Sequence, residues 1–408
     1  MKKLTPSEQM EIIKRNTVEI IPEEELYRKL KRSYETETPL KCKLGFDPSA
    51  PDLHLGHAVV LHKIREFQEL GHEAIIILGD FTGRIGDPTG RVEARKQLSE
   101  EEVLANAQTY REQVYKILYP EKTELIFNSR WLAELKFNEL IELASKITVA
   151  RLLEREDFSR RYREGMPISL HEFFYPLMQG YDSVAVRADV ELGATEQKFN
   201  LLMGRFLQKE YGQEPQITLT TPILIGTDGV QKMSKSLGNY IGITEVPAEM
   251  YGKIMSINDE AMLEYFALST RLSPREIEEI RRDLHRGRLH PRDAKMRLGR
   301  EIVTLYHGRE QALKAEEEFR RVFQDRGLPE DIPLICLDSS TWETPADLIR
   351  LMSHTGMVSS NSEARRLILQ GGVRVNGQKV EEINQSIDIK EETLLQIGKR
   401  KFVKVIIK

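Results

Sequence analysis

Cysteine is nearly missing from this chain: 408 residues carry two, Cys42 and Cys336, far apart and outside any C-x-x-C spacing. That excludes a disulfide framework and a cysteine-ligated zinc site. Net charge is lacking as well, because 60 lysines and arginines stand against 64 aspartates and glutamates, a formal balance of −4. Without a global positive field, any contact with RNA or DNA has to come from a local patch. No run is long and apolar enough to span a bilayer. The opening MKKLTPSEQMEIIKRN has basic residues but no apolar core, so no signal peptide is expected. Internal repeats and low-complexity tracts are missing too. A cytoplasmic protein without membrane contact is the expectation. Apolar residues make up 40%, enough for a sizeable core. At ~150 residues per domain, the length suggests about two to four domains.

What is present falls into blocks. Residues 1–38 read as a charged, helical N-terminal extension. Residues 39–230 alternate strands and helices. LKCKLGFDP (40–48), EAIIILGDF (73–81), TELIFN (123–128), ADVELG (188–193) and QITLTTPILIG (216–226) read as strands. After the first, Val60, Ile64 and Phe67 recur at i, i+4 and i+7 and Gly71 closes the helix. A glycine-rich loop and a long charged helix near 97–118 follow the second strand. This alternation predicts an α/β fold with a Rossmann-like parallel sheet. A helical insertion covers about 130–186, a glycine-bounded loop 231–244, and charged helices 245–326. Residues 327–344, with GLPEDIPLICLDSSTW, have the composition of a linker, and 345–408 form a separate small α+β module.

Three stretches carry chemistry. PDLHLGHAVVL (51–61) places His54, Gly56 and His57 after the first strand and at the mouth of a helix. Ligands of open parallel sheets bind beyond the carboxyl ends of the strands, and a helix N-terminus suits phosphate. Gly56 leaves room for a base or ribose. An ordinary helix start, or a metal pair short of ligands, is the alternative reading. GTDGVQKMSKSLGN (226–239) sets Lys232 and Lys235 among Ser234 and Ser236, as a loop closing on a polyphosphate requires. A solvated basic loop is its alternative. HEFFYPLMQGYDSVAV (171–186) places Tyr175, Gln179 and Asp182 on one helical face, with Pro176 expected near the first turn. No charge lies between Glu172 and Asp182, so an exposed polar stripe fits poorly. A carboxylate facing a buried pocket needs a donor, and a phenolic hydroxyl is one.

The C-terminal module reads SSNSEARRLILQGGVRVNGQKV over 359–380. Ser360 and Glu363 form a capping box ahead of a short helix bearing Arg365 and Arg366. Gly371-Gly372 ends it, Val373–Val375 is a strand carrying Arg374, and Asn376-Gly377 is a hairpin turn leading to Lys379. With Lys399, Arg400 and Lys401 this makes a local basic surface of the kind that meets an RNA backbone.

HLGH and KMSKS, in this order on a sheet-forming chain, resemble the two signature motifs of class I aminoacyl-tRNA synthetases. The wider set GFDPSAPDLHLGH, GDPTGR, YPLMQGYD and QKMSKSLGN is similar to the bacterial tyrosyl-tRNA synthetases, most of all their shorter, second form. The likeness runs over nearly the whole chain, and the tail resembles an S4-type RNA-binding module. It implies activation of L-tyrosine by ATP, with Mg²⁺ accompanying ATP and no dedicated metal cage, then transfer of tyrosine to the terminal ribose of its tRNA. By resemblance, Ser49 and His54 meet the terminal phosphate of ATP, His57 and Gly56 the ribose side, and Asp47 the nucleotide and the tyrosine amino region. Gly193 and Glu196 lie on the ribose side. Lys232 and Lys235 follow the departing pyrophosphate, helped by Arg91 and Arg95. Tyr175, Gln179, Gln197 and Asp87 meet tyrosine, mainly at its ammonium group, and Asp182 meets its hydroxyl. A site built to bond a substrate hydroxyl rejects the analogue lacking it, and tyrosine-specific synthetases are the standard instance.

The resemblance also implies that the helices of 245–326 meet the anticodon region, that Arg365, Arg366, Arg374 and Lys379 contact RNA, and that the chain is a homodimer. Departures from the pattern are Lys43, where the best-known bacterial form has a hydroxyl-binding tyrosine, Glu196 for an aspartate, and Arg91 for a lysine. A tryptophan-specific relative and a non-catalytic RNA-binding paralogue stay open. Asp182 and the tail argue against the first, and the intact phosphate motifs against the second.

Overall fold

The structure, a computed structural model, describes residues 3–48, 52–85, 100–323, 332–339, 341–342, 344–380, 382–383, 385–389, 392–398 and 401–407. It divides into two compact units, residues 1–312 and 313–408.

The first unit is built on a six-stranded sheet in the order β1-β6-β5-β2-β3-β4. Its strands are β1 (Glu19–Ile21), β2 (Lys41–Phe46), β3 (Glu73–Leu78), β4 (Thr123–Phe127), β5 (Val190–Ala194) and β6 (Ile217–Thr221). β2 to β6 are mutually parallel, as the alternating pattern predicts. β1 pairs antiparallel with β6. The N-terminal segment, expected to be only helical, thus donates an edge strand between α1 (Pro6–Lys14) and α2 (Glu23–Thr36). Three residues are too few to display a strand period in sequence.

From β2 the chain crosses to β3 on one side, whereas β5 lies on the other. The reversal creates a switch point between the carboxyl ends of β2 and β5, the place where such sheets bind ligands. α3 (Leu55–Glu69) joins β2 to β3 and ends at Gly71, whose φ of +98° needs a residue without Cβ. α4 (Thr82–Ile85) and α5 (Glu100–Val114) precede β4. The insertion contains α6 (Ser129–Leu132), α7 (Phe137–Ser145), α8 (Val149–Leu152) and α9 (Glu156–Arg163), then α10 (Leu170–Val186). Pro176 sits in the interior of α10 and not in its first turn. Ser169 starts the helix earlier than the proline suggests, with its backbone N–H donating to Glu172 (2.9 Å). α11 (Lys198–Glu210) packs on α10 and against β5 and β6.

α12 (Pro247–Met255), α13 (Met262–Ser269), α14 (Pro274–His285) and α15 (Pro291–His307) belong to the same unit as the sheet. Tyr251 of α12 is fully buried against α15, and a Cβ on Gly299 would stand 2.8 Å from its ring. Only glycine allows that approach. His62 of α3 bonds the Tyr306 hydroxyl of α15 at 3.1 Å, tying these helices to the helix that carries the histidine motif.

The second unit takes in most of α16 (Arg309–Phe323), then β7 (Leu334–Leu337), β8 (Ala346–Asp347), α17 (Leu348–His354), α18 (Asn361–Leu369), β9 (Val373–Val375), β10 (Gln378–Lys379), β11 (Ser386–Ile387), β12 (Thr393–Ile397) and β13 (Lys401–Ile407). Its main sheet runs β10-β9-β12-β13-β7 over a core that includes Leu351, Met352, Ala364 and Val405. The Asn376-Gly377 turn has φ of 46° and 79°, the doubly left-handed backbone of a tight hairpin. The cap of α18 differs from expectation by one residue. The Glu363 N–H donates to Ser360 Oγ (3.2 Å), but the Glu363 carboxylate accepts from the N–H and hydroxyl of Ser359, at 2.8 and 2.7 Å.

Candidate active site

At the switch point lies a cleft of about 530 Å³. Of the expected site residues it gathers Asp47, His54, Gly56, His57, Tyr175, Gln179, Asp182, Glu196, Gln197 and Lys232. Ser49, Asp87, Arg91 and Arg95, with the GDPTGR stretch, lie outside the described residues. Gly193 is the penultimate residue of β5, just before Ala194 of the cleft wall, and a Cβ there would come within 2.8 Å of Gln197 Oε1.

One half of the cleft is basic. His54 precedes the first turn of α3 and His57 lies within it. Their rings stack with centroids 3.8 Å apart. The His54 N–H donates to His57 Nδ1 (3.3 Å), leaving the ring proton of His57 on Nε2. Burial, His57 and Lys235 push His54 down to about 2. Burial and Lys235 push His57 down to about 4. Both rings are therefore neutral near pH 7 and can donate without repelling a neighbouring ammonium. A Cβ on Gly56 would stand 3.0 Å from the His54 ring and 3.6 Å from Met233, so glycine lets the lysine loop lie close over the helix mouth.

That loop is stitched to the histidine segment by backbone bonds. The Leu55 N–H donates to Ile241 O (2.9 Å) and the Ile243 N–H to Leu53 O (3.0 Å). Within the loop, Asn239 is the buried knot. Its amide oxygen accepts from the Ser234 N–H (2.8 Å), and its NH₂ donates to Lys232 O (3.1 Å) and Asp228 (2.8 Å). Lys232 pairs with Glu196 at 2.7 Å. Lys235 Nζ is buried with no hydrogen-bond partner among the described residues, and so is His54 Nδ1. Burial lowers the lysine's pKa against an upward pull from Asp52. Buried donors without partners are rare unless a ligand supplies the acceptor. An anion between His54 and Lys235 would do so.

The other half of the cleft holds a chain of hydrogen-bonded polar side chains. Tyr175 donates to Asp47 Oδ2 (2.8 Å) and Thr82 to Asp47 Oδ1 (2.7 Å). Asn128 donates to Thr82 (3.1 Å) and to Asp182 Oδ2 (3.3 Å), and the Trp131 indole to Asp182 Oδ1 (2.8 Å). Burial raises the Asp182 carboxyl to about 7, although Lys43 and the donors Trp131 and Asn128 pull it down. A buried carboxylate in the wall of the cleft suits one further donor from a ligand.

Sequence reasoning missed Thr82, Asn128 and Trp131. Thr82 follows the carboxyl end of β3, and Asn128 and Trp131 follow that of β4. Inspecting the residues just past every parallel strand would have found all three. In the second unit Arg365, Arg366, Arg374 and Lys379 are all exposed, on α18, β9 and β10.

Residues 35–324 match the family described as tRNA synthetases class I (W and Y), and residues 348–392 match the S4 domain. The tyrosine–tRNA ligase of Moorella thermoacetica is 60% identical over 97% of this chain and 95% of its own length. That of Aquifex aeolicus is 54% identical over 99% and 100%. Among solved structures, tyrosyl-tRNA synthetase from Archaeoglobus fulgidus, complexed with L-tyrosine, superposes with a TM-score of 0.61 at 24% identity, over 76% of this chain and 99% of that one. At that identity the likeness establishes the fold.

Proposed function

The chain belongs to the class I tRNA synthetases for tryptophan and tyrosine, and from that premise we propose how its cleft divides two substrates between its two halves. The chain activates L-tyrosine with ATP to tyrosyl-adenylate and pyrophosphate, then passes the tyrosyl group to tRNA. ATP occupies the basic half and tyrosine the half with the polar chain. The observation that carries this division is the buried ammonium of Lys235, without a hydrogen-bond partner among the described residues, beside two neutral histidines.

In the first step a carboxylate oxygen of tyrosine attacks the α-phosphorus as the bond to the bridging oxygen of pyrophosphate breaks. The enzyme's contribution is alignment and charge stabilisation. Lys235 and Lys232 meet the negative charge growing on pyrophosphate, with Arg91 and Arg95. Lys232 exchanges Glu196 for phosphate as the loop closes. His54 and Ser49 donate to the terminal phosphate, and His57, Gly56, Gly193 and Glu196 bound the ribose side. Tyr175, Gln179, Gln197, Asp47 and Asp87 surround the tyrosine ammonium, while Asp182 accepts from the phenol. Mg²⁺ bound to ATP would supply neutralisation of phosphate charge.

In the second step a hydroxyl of the terminal ribose of tRNA(Tyr) attacks the adenylate carbonyl; the ester bond forms as the carboxyl–phosphate bond breaks and AMP leaves. Arg365, Arg366, Arg374 and Lys379 hold the RNA backbone, and the helices of 245–326 lie along the anticodon region. The cytoplasm is the compartment this reading implies. The insertion exposes Phe137, Ile141, Val149, Tyr162 and Leu170, apolar side chains that a second copy of the chain would cover as a homodimer. Pyrophosphate–ATP exchange tests the reading: tyrosine alone should support it. Exchange driven by tryptophan, or by neither amino acid, refutes it.

A further inference from the structure

Lys43 stands where tyrosine-specific relatives of the best-known form carry a tyrosine, yet it does not line the cleft. It lies on β2 two residues before Gly45, on the same face of the strand and beneath the pocket floor. It is fully buried, as is its ion-pair partner Glu191, which neighbours it in register on β5. The ammonium uses all three of its donors: Gln179 backbone O (2.9 Å), Ser183 Oγ (2.7 Å) and Glu191 Oε1 (2.9 Å). Gln179 and Ser183 bracket the turn of α10 that bears Asp182.

The glutamate is equally committed. Glu191 Oε1 also accepts from Gln179 Nε2 (3.2 Å), and Oε2 accepts from Ser183 Oγ (3.0 Å) and from Gln216. Asn200 Nδ2 donates to Gln179 Oε1 (3.0 Å). A carboxylate on one side and an amide donor on the other leave the Gln179 side chain one orientation. A buried ion pair is a weak source of stability, since an apolar pair of similar volume often does as well. Stability therefore does not account for a lysine here.

We propose that Lys43, locked by Glu191, is a positioning residue for amino-acid selection: it pins the turn of α10 so that Gln179 and Asp182 present acceptors to tyrosine. The proposal rests on the tyrosine reading of the cleft. Lys43 acts through these two residues and does not touch substrate. Among the described residues, the charged groups facing Asp182 are Lys43 from β2, which favours its ionised form, and Glu191 from β5, which opposes it. The other elements against that side bring uncharged donors: Trp131 from α6, Asn128 after β4, Thr82 from α4 bonded to Asn128, and Asn200 from α11. Glu139 and Glu142 of α7 act on Tyr181 and Tyr211 instead.

The test compares the full chain with Lys43→Met, and with Lys43→Met/Glu191→Gln, which leaves no unpaired buried charge. Pyrophosphate–ATP exchange is followed with tyrosine and with phenylalanine between pH 6 and 8.5. In both variants the tyrosine KM should rise on the order of tenfold. The KM for ATP should stay unchanged, discrimination against phenylalanine should fall, and the acid limb of kcat/KM for tyrosine should move to higher pH. A folded variant with wild-type tyrosine KM, discrimination and pH limb overturns the proposal. So does loss of folding in both variants, which would assign the pair to stability. If the wild type shows no exchange with tyrosine, the cleft reading fails and takes this proposal with it; exchange by the wild type with unaltered variants refutes this proposal alone.

Discussion

Replacing Asp182 by asparagine separates what the carboxylate costs the empty fold from what it does for the substrate. Asp182 is 3% exposed, and burial carries its carboxyl from 3.8 to about 7. The folded state thus holds the proton to higher pH than the unfolded chain does. The cost of ionisation is absent below pH 4, accumulates from about 4 to 7 and is constant above. At about 1.4 kcal/mol per unit, roughly three units make about 4 kcal/mol. The asparagine chain escapes this cost and keeps an acceptor for Trp131. Without ligand it should melt above the wild type at pH 8, by a margin that shrinks towards pH 4. Its tyrosine kcat/KM should fall about 10- to 100-fold, the worth of one hydrogen bond to a charged acceptor. Discrimination against phenylalanine should fall by a similar factor. In the wild type, kcat/KM for tyrosine should climb with pH to a plateau above about 7. Melting curves at pH 5 and 8, with exchange kinetics on both amino acids, measure all of this. A variant that melts below the wild type at pH 8, or rejects phenylalanine as well as the wild type does, refutes the reasoning.

Other perturbations address the remaining parts. Lys235→Ala should lower kcat for pyrophosphate–ATP exchange by about 10²- to 10³-fold while leaving equilibrium binding of tyrosine nearly intact; an unchanged kcat would remove the lysine from phosphate chemistry. A chain ending near residue 340 should sustain exchange and lose tRNA charging. Replacing Arg365, Arg366, Arg374 and Lys379 together by glutamine should weaken tRNA binding and flatten its salt dependence, as loss of phosphate contacts does; an unaltered salt slope counts against the tail as the RNA contact. Phe137→Glu combined with Leu170→Glu should halve the mass found by sedimentation equilibrium, and a mass equal to the wild type's would place the assembly surface elsewhere.

Much of the architecture was legible along the chain because it is written in local patterns. The near-continuous apolar run of β3 announces a strand buried on both faces, and the i, i+4, i+7 spacing of Val60, Ile64 and Phe67 announces α3. Asn376-Gly377 announces a hairpin because few other pairs adopt two left-handed residues in succession. Elements too short for a period escaped. β1 has three residues and a neighbour about two hundred positions away, so its place in the sheet is decided by pairing with β6. Pro176 misled for a related reason: the start of α10 was read from the proline, whereas Ser169 and Glu172 set it.

The sequence by itself determined which chemical groups would matter: two histidines at a helix mouth, two lysines in a glycine-bounded loop, and a tyrosine, a glutamine and an aspartate on one helical face. Local backbone rules and residue chemistry suffice for that. Only the tertiary structure decided their partners. It joined Asp47 to Tyr175 across 128 residues of chain and Lys43 to Glu191 across 148, and it left Lys235 buried without an acceptor among the described residues. Such contacts depend on strand order and on which helix covers which face of the sheet. Burial then sets the energies, turning an ordinary aspartate into a group that titrates near neutrality.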